Sequence, residues 1–214
     1  MTVWAVVVAA GGGSRFGDLK QFTEMAGRPL VDWSVEAART VAAGVVLVVP
    51  AEQAGGLSPD AHGADLVVAG GTTRTASVRA GLDAVPHEAD VIVVHDGARP
   101  LAPAHLFRSV VDAVLAGAPA AIPGITMADT VKRVDGDGDV VATMPRDGLV
   151  TVQTPQAFRA DILRHAHAAG GDATDDAGLV EAQGATVRVV PGDKRNIKVT
   201  TPADLDMALA LLEA

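Results

Sequence analysis

The chain contains no cysteine, which removes disulfides and thiolate metal ligands and fits a reducing, cytoplasmic setting. Aromatic residues are also scarce: they make up 3% of the 214 residues while hydrophobic residues make up 49%. The core must therefore be built from Val, Leu, Ile and Ala, the mixture of parallel strands covered by Ala-rich helices. Nowhere do about 18 apolar residues run together, so no membrane-spanning helix is expected. The formal charge of −9 supplies no basic footprint for nucleic acid or an anionic membrane. No His and carboxylate pair has zinc-site spacing, and no nucleophile elbow is present. Lysine is confined to positions 20, 132, 194 and 198, so a lysine beside a glycine loop or strand end carries information. The opening MTVWAVVVAA has no basic leader and runs straight into glycines, which reads as a first strand and not as a signal peptide. At this length, residues 1–214 are expected to form a single domain.

What is present is a rhythm. Apolar runs rich in β-branched residues lie at Val3–Val8, Val45–Val49, Leu66–Val68, Val91–Val94 and Ala118–Ile122, each bounded by Gly, Pro or Asp, and read as buried strands. Amphipathic segments between them, including Leu30–Val41, Thr75–Ala84 and Pro103–Leu115, read as helices. Alternation of this kind predicts a three-layer α/β domain with a mostly parallel sheet. The rhythm breaks at Thr126–Thr151, where an Asp-Gly turn at 135–136 sits between β-prone segments. That predicts a protruding β-hairpin, an excursion long enough to cover an active site or a partner subunit. Beyond it, Arg159–Ala169 and Asp175–Gln183 read as helices, Val187–Val190 as a strand, and Pro202–Leu212 as a last helix with Thr201 as its N-cap.

Ligands of such sheets bind outside the carboxyl ends of the strands, and three loops there hold glycine together with a cation. The first, Ala9-Ala-Gly-Gly-Gly-Ser-Arg-Phe-Gly-Asp-Leu-Lys20, lets backbone N–H groups approach an anion. It is not a P-loop, because Asp18 follows Gly17, and it is not a dinucleotide fingerprint, because Phe16 stands where glycine is required. Either it cradles a polyphosphate with Arg15 and Lys20 at hand, or it is a tight strand-to-helix connection with two solvated cations. The second, Gly70-Gly-Thr-Thr-Arg-Thr-Ala-Ser77, offers helical N–H groups and Ser77 to a base or ribose; equally, its hydroxyls cap a helix. The third, Val93-Val-His95-Asp96-Gly-Ala-Arg99-Pro100, sets Asp96 past a buried strand. There it can meet Mg²⁺ carried by nucleotide phosphates, directly or through water, or simply cap the following turn. His95 reads as a packed neighbour in preference to a catalyst.

These loops carry a resemblance. Ala9-Ala-Gly-x-Gly-x-Arg15…Lys20-Gln21, Gly70-Gly-x-x-Arg74-x-x-Ser77-Val, Val94-His-Asp-x-Ala-Arg-Pro100, Asp129-Thr-Val-Lys132, Thr154-Pro-Gln156, Thr174-Asp-Asp176 and Asn196-Ile-Lys-Val-Thr200 resemble, in order, the motifs of the cytidylyltransferase family that makes CDP-methylerythritol in the non-mevalonate isoprenoid pathway. The resemblance implies a Rossmann-like, glycosyltransferase-A-like nucleotidyltransferase fold. It implies transfer of CMP from CTP to 2-C-methyl-D-erythritol 4-phosphate, with Mg²⁺ as cofactor and pyrophosphate as the second product. By the same resemblance Arg15 and Lys20 are the catalytic cations on the CTP phosphates, and Ala9, Ala10, Gly11, Gly13, Gly71, Ser77 and Asp96 surround the nucleotide. Arg99, Thr130, Arg146, Thr174 and Lys198, again with Asp96, line the acceptor site. The hairpin arm of the family crosses to a second subunit, which implies a homodimer in which Thr130 and Arg146 serve the partner's site. Thr72 stands where an acidic residue is common in the family, and only Asp18 and Leu19 separate Gly17 from Lys20.

Three other readings compete. A relative of the same fold acting on D-ribitol 5-phosphate shares most of the loops. A nucleotide-sensing module without catalysis is disfavoured by the joint presence of Arg15, Lys20 and Asp96. A nicotinamide-dependent dehydrogenase fails at Phe16 and lacks an acidic residue at the end of the second strand, where Val49-Pro50 stands.

Overall fold

The computed structural model describes residues 1–11, 22–58 and 60–213. Its centre is four strands whose residues are almost wholly buried and dominated by Val, Ile and Leu: β1 (Val3–Val8), β4 (Gly44–Val49), β6 (Val91–Asp96) and the start of β7 (Ala120–Thr126). Strands of this composition sit where helices cover both faces. A two-residue pair, β2 (Glu24–Met25) and β3 (Arg28–Pro29), lies between β1 and α1 (Leu30–Arg39). The chain then alternates through β4, the short α2 (Ala51–Ala54), β5 (Leu66–Ala69), α3 (Arg74–Ala84), β6, α4 (Ala104–Leu115) and β7. Strands β5, β4, β1 and β6 are consecutive parallel neighbours, with Ala5 opposite Val45 on one side and Val93 on the other.

Alternation along these strands sorts the core into two layers. Ala5, Val7, Val45, Leu47, Val91 and Val93 pack beneath α1 and α4, whereas Val6, Val46, Val48, Ile92 and Val94 pack beneath α3 and the later helices. Helix α4 shows why the sequence forms it: Leu106, Phe107, Val110, Val111 and Val114 are all buried and recur on one face. On the opposite layer, Gly81 lets α3 lie close to the sheet, since a Cβ there would sit 2.5 Å from a Val6 methyl.

After β7 the hairpin forms from β8 (Val131–Val134) and β9 (Val140–Met144), closed by a turn in which the Asp135 carboxylate accepts the backbone N–H groups of Asp137 and Asp139. The chain returns through β10 (Val150–Val152) and β11 (Gln156–Arg159) to α5 (Ala160–Ala168), α6 (Asp176–Ala182), β12 (Val187–Pro191) and α7 (Pro202–Glu213). Strand β11 inserts antiparallel between β6 and β7, and β12 runs parallel along the other edge of β7. The expected mostly parallel sheet is present, with β10 and β11 the antiparallel strands. Arg159, expected to open a helix, instead ends β11. The Thr201 hydroxyl accepts the N–H of Asp204 at 3.3 Å, and the Asp204 carboxylate accepts the N–H groups of Thr200 and Thr201, so α7 starts where expected with reciprocal capping. Among the described residues no helix is long and apolar enough to cross a membrane.

Candidate active site

The carboxyl ends of β1, β5 and β6 meet at one edge of the sheet, and two adjoining clefts open there. The first, about 270 Å³, is lined by Val8–Gly11, Gly71–Arg74, Ser77, Asp96, Ala98 and Lys198. Its walls are small because the backbones are crowded. A Cβ on Gly70 would lie 2.3 Å from Ala10 Cβ and 2.9 Å from Ser77 Oγ, so the second loop can approach the first only with glycine there. Ser77 Oγ accepts the Gly71 N–H at 3.1 Å and donates to the Thr73 carbonyl at 2.9 Å, while Thr73 Oγ1 accepts the Ala76 N–H at 3.0 Å. The Thr73 and Ser77 hydroxyls therefore cap α3 and shape the glycine turn.

The second cleft, about 210 Å³, is lined by side chains instead: Arg99, Gln153, Thr154, Gln156, Thr174 and Asp175, with Arg74, Asp96 and Lys198 shared between the two. A buried polar network holds it in shape. Gln153 Nε2 donates to the carbonyls of Asp193 and Asn196, Asn196 Nδ2 donates to the Thr154 carbonyl, and Thr154 Oγ1 accepts the Asp96 N–H at 3.0 Å. On the other side, the Val199 N–H bonds the Ala98 carbonyl and Arg99 Nη1 bonds the Asn196 carbonyl at 2.8 Å. Segment 196–199 thus rides on the loop after β6, and this brings Lys198 to a carboxylate 102 residues away in sequence.

Asp96 is the centre of the wall between the clefts. Its Oδ2 accepts from Lys198 Nζ at 2.6 Å, and its Oδ1 lies 3.4 Å from both Nε and Nη2 of Arg74. Burial alone would raise the Asp96 pKa, but the fields of Lys198, Arg74 and Arg99 outweigh it and hold the carboxyl well below the usual range. Burial pushes Arg99 down, against the pull of Asp96, and Arg99 Nε has no hydrogen-bond partner among the described residues. Arg99 lines the second cleft with a buried guanidinium, a side chain whose charge suits an anion there. His95 is fully buried, stacks 4.9 Å from Phe107, and contacts Thr154 Oγ1 and the Arg99 carbonyl. Burial pushes it down to about 4 despite an opposing pull from Asp96. It is a neutral packing residue beneath the wall.

The structure therefore places Ala9, Ala10, Gly11, Gly71, Ser77 and Asp96 on the first cleft, and Arg99 and Thr174 on the second, with Lys198 on both. Thr130 and Arg146 line neither: both are exposed on the arm, where Arg146 Nη1 bonds the Ala128 carbonyl. Gly13, Arg15 and Lys20 lie outside the described residues. Arg74, which touches both clefts, was missing from the sequence-derived site although the Gly-Gly-x-x-Arg motif displays it. Gln153 and Thr154 were likewise given no role, because their work is to join segments far apart in the chain.

Comparison with known proteins decides among the readings. The family model for 2-C-methyl-D-erythritol 4-phosphate cytidylyltransferase matches residues 3–214. The chain belongs to this family. A cytidylyltransferase of that name from Frankia casuarinae is 47% identical over 98% of this chain and 81% of its own length, and one from Nocardia farcinica is 46% identical over 99% and 94%. Among solved structures, the cytidylyltransferase of Thermus thermophilus superposes with a TM-score of 0.83 at 36% identity, covering 98% of both chains. The fold and the family match agree that the chain is a cytidylyltransferase.

As for a metal, no three His, Asp or Glu side chains converge among the described residues. Among the described residues Asp96 is the one carboxylate on the first cleft, and Lys198 occupies its Oδ2. Its Oδ1, held only at 3.4 Å, keeps capacity to accept from a metal-bound water. Such a donor set suits Mg²⁺ arriving on phosphates and reached through water, since Mg²⁺ keeps several waters and takes few protein oxygens; it does not suit a direct protein cage.

Proposed function

We propose that the first cleft takes CTP and the second takes 2-C-methyl-D-erythritol 4-phosphate, so that CMP passes between them across the Asp96 wall. One observation carries the assignment: two clefts of different chemistry share a wall of two cations and a carboxylate, in a chain of the cytidylyltransferase family. The first suits a base read by backbone N–H and C=O groups at Ala9–Gly11 and Gly71. The second suits a phosphate monoester beside Arg99 and Lys198, with hydroxyls near Thr174 and Asp96.

In the reaction a phosphate oxygen of the acceptor attacks the α-phosphorus of CTP, forming one P–O bond as the bond to the β-phosphate bridge breaks and pyrophosphate leaves. No protein nucleophile is needed; alignment and charge neutralisation supply the rate. Lys198 and Arg74 hold positive charge where the two anions approach, and Asp96 keeps both cations oriented. Mg²⁺ carried by the CTP phosphates would supply charge neutralisation there, and Asp96 is the described carboxylate on the first cleft that would reach it through water. Arg15 and Lys20 are assigned to the CTP phosphates on the sequence motif.

The arm is assigned to a homodimer. Val134, Val140, Val141 and Met144 are 39–60% exposed on it, a patch that burial against a second copy would cover. Thr130 and Arg146 then reach the partner's second cleft.

Purified chain supplied with CTP, Mg²⁺ and each acceptor in turn tests the substrate. Pyrophosphate release with 2-C-methyl-D-erythritol 4-phosphate is expected; release with D-ribitol 5-phosphate alone overturns the acceptor. Mixing Arg146→Ala and Lys20→Ala variants tests the shared site, because one mixed dimer rebuilds one intact site and restores turnover. Continued silence of the mixture rejects the crossed arm.

A further inference from the structure

Arg74 is the first residue of α3, and a long side chain there is free to point at solvent unless something holds it. Its contact with Asp96 is loose, at 3.4 Å, whereas its Nη1 sits 2.8 Å from Oδ2 of Asp176. The shorter contact is an ion pair outside hydrogen-bond geometry, and its charge attraction in the interior draws the guanidinium towards Asp176. Asp176 opens α6, and its side chain is 1% exposed, so a carboxylate has been placed in the interior between helices. Such a group is kept only when its charge is met by partners. Its second oxygen, Oδ1, is met by Nε2 of His167 on α5 at 3.0 Å, and that imidazole is itself 2% exposed. A continuous polar chain thus runs from the wall between the clefts into the seam of α5 and α6: Asp96, Arg74, Asp176, His167.

The arrangement does more than join two helices. A staple between α5 and α6 needs only His167 and Asp176, and it has no use for a cation from α3 that also lines both clefts. For Arg74, burial works against the charged form, but Asp176 first and Asp96 second reverse this and hold it charged more firmly than usual. The interior end of the chain therefore decides where the positive charge of the wall stands.

We propose that Asp176 and His167 are positioning residues for nucleotidyl transfer: they hold the Arg74 guanidinium in the shared wall, facing the phosphates of the two substrates as these come together. The proposal rests on the reading of the clefts given above. Asp176 acts through Arg74, and His167 acts through Asp176 by donating from Nε2 to the oxygen that Arg74 does not use. A displacement of about 1 Å in such a group is enough to cost on the order of a hundredfold in rate.

A double-mutant cycle on the full-length enzyme tests this, with steady-state pyrophosphate release as the assay and thermal melting as the check on folding. Asp176→Asn is expected to lower kcat by about 10- to 100-fold, with the KM for CTP changed by less than about threefold. His167→Gln, which keeps an N–H donor, is expected to stay within a few-fold of wild type, while His167→Leu follows Asp176→Asn in direction. In an Arg74→Ala background, Asp176→Asn and His167→Leu should cause almost no further loss of kcat. Equal losses in both backgrounds overturn the proposal, as does an Asp176→Asn enzyme with full kcat and only a lower melting temperature. Should Asp176→Asn fail to fold, the cycle between His167→Leu and Arg74→Ala decides the same question. Wild-type turnover separates the two levels of inference: an inactive wild type strikes the reading of the clefts, whereas an active one with additive losses strikes only the positioning role.

Discussion

The two clefts are built by opposite means. Apart from the shared wall, the first is lined mostly by glycine, alanine and small hydroxyl residues, and its one serine is turned inward to hold the loop. The second is made of polar side chains that reach it from 153–156, 174–175 and the loop after β6. A backbone-lined cleft keeps its chemistry through many substitutions so long as nothing grows into it. A side-chain-lined cleft changes with each residue exchanged. With the clefts assigned as proposed, specificity for the base is a property of shape, and specificity for the acceptor is a property of composition. The wall of Asp96, Arg74 and Lys198 belongs to both.

The largest effect is expected where the two meet. Asp96→Ala leaves Lys198 and Arg74 repelling each other with no carboxylate between them, so kcat/KM should fall by about a hundredfold or more for both substrates. A loss confined to one substrate would break the shared wall. Arg99→Ala is expected to be one-sided. Loss of a charge-assisted hydrogen bond worth about 2 kcal/mol should raise the acceptor KM roughly 30-fold, leaving the KM for CTP within about threefold. Gly70→Val is the mirror experiment. Its side chain must displace Ala10 and Ser77, so the KM for CTP should rise by about tenfold while the acceptor KM holds.

The smallest effect on activity should come from His95, which supports the wall from beneath. In the unfolded chain its imidazole takes a proton near pH 6.5, but in the folded protein burial delays this to about 4. The unfolded state thus binds more protons between these values. The stabilisation is complete above pH 6.5 and is lost as pH falls towards 4, by on the order of 3 kcal/mol. Denaturant unfolding at stepped pH should show this slope in wild type and a flatter one in His95→Gln. At pH 7.5 that variant should retain most of its turnover; equal slopes in the two proteins would remove His95 from the acid response.

The same contrast explains what could be read from the sequence. Strands β1, β5 and β6 declare themselves as apolar runs, and the first cleft follows from them because its residues, Lys198 apart, lie within eight positions of their ends. Strand β11 does not: Gln156-Ala-Phe-Arg159 is four residues with a glutamine and an arginine, and only the exposed edges of β6 and β7 make it a strand. The second cleft was legible as a set of motifs, and Arg99, Thr174 and Lys198 were singled out by resemblance. Their arrangement was not, since Asp96 is tied to residues 22, 58 and 102 positions away. His167 escaped notice altogether, because an amphipathic helix gives no sign that one buried histidine faces a carboxylate on the next.

The arm leaves the sheet at Thr126 and returns at Val150, and these two residues are paired with one another across β7 and β10. Its root is therefore zipped shut by backbone hydrogen bonds before the hairpin begins. Everything from 127 to 149 is, in topological terms, an insertion whose removal or replacement leaves strand order and register intact. That makes the arm a graftable part: if it pairs with a second copy as proposed, exchanging it between relatives should transfer the choice of partner subunit without asking the catalytic layer to fold differently.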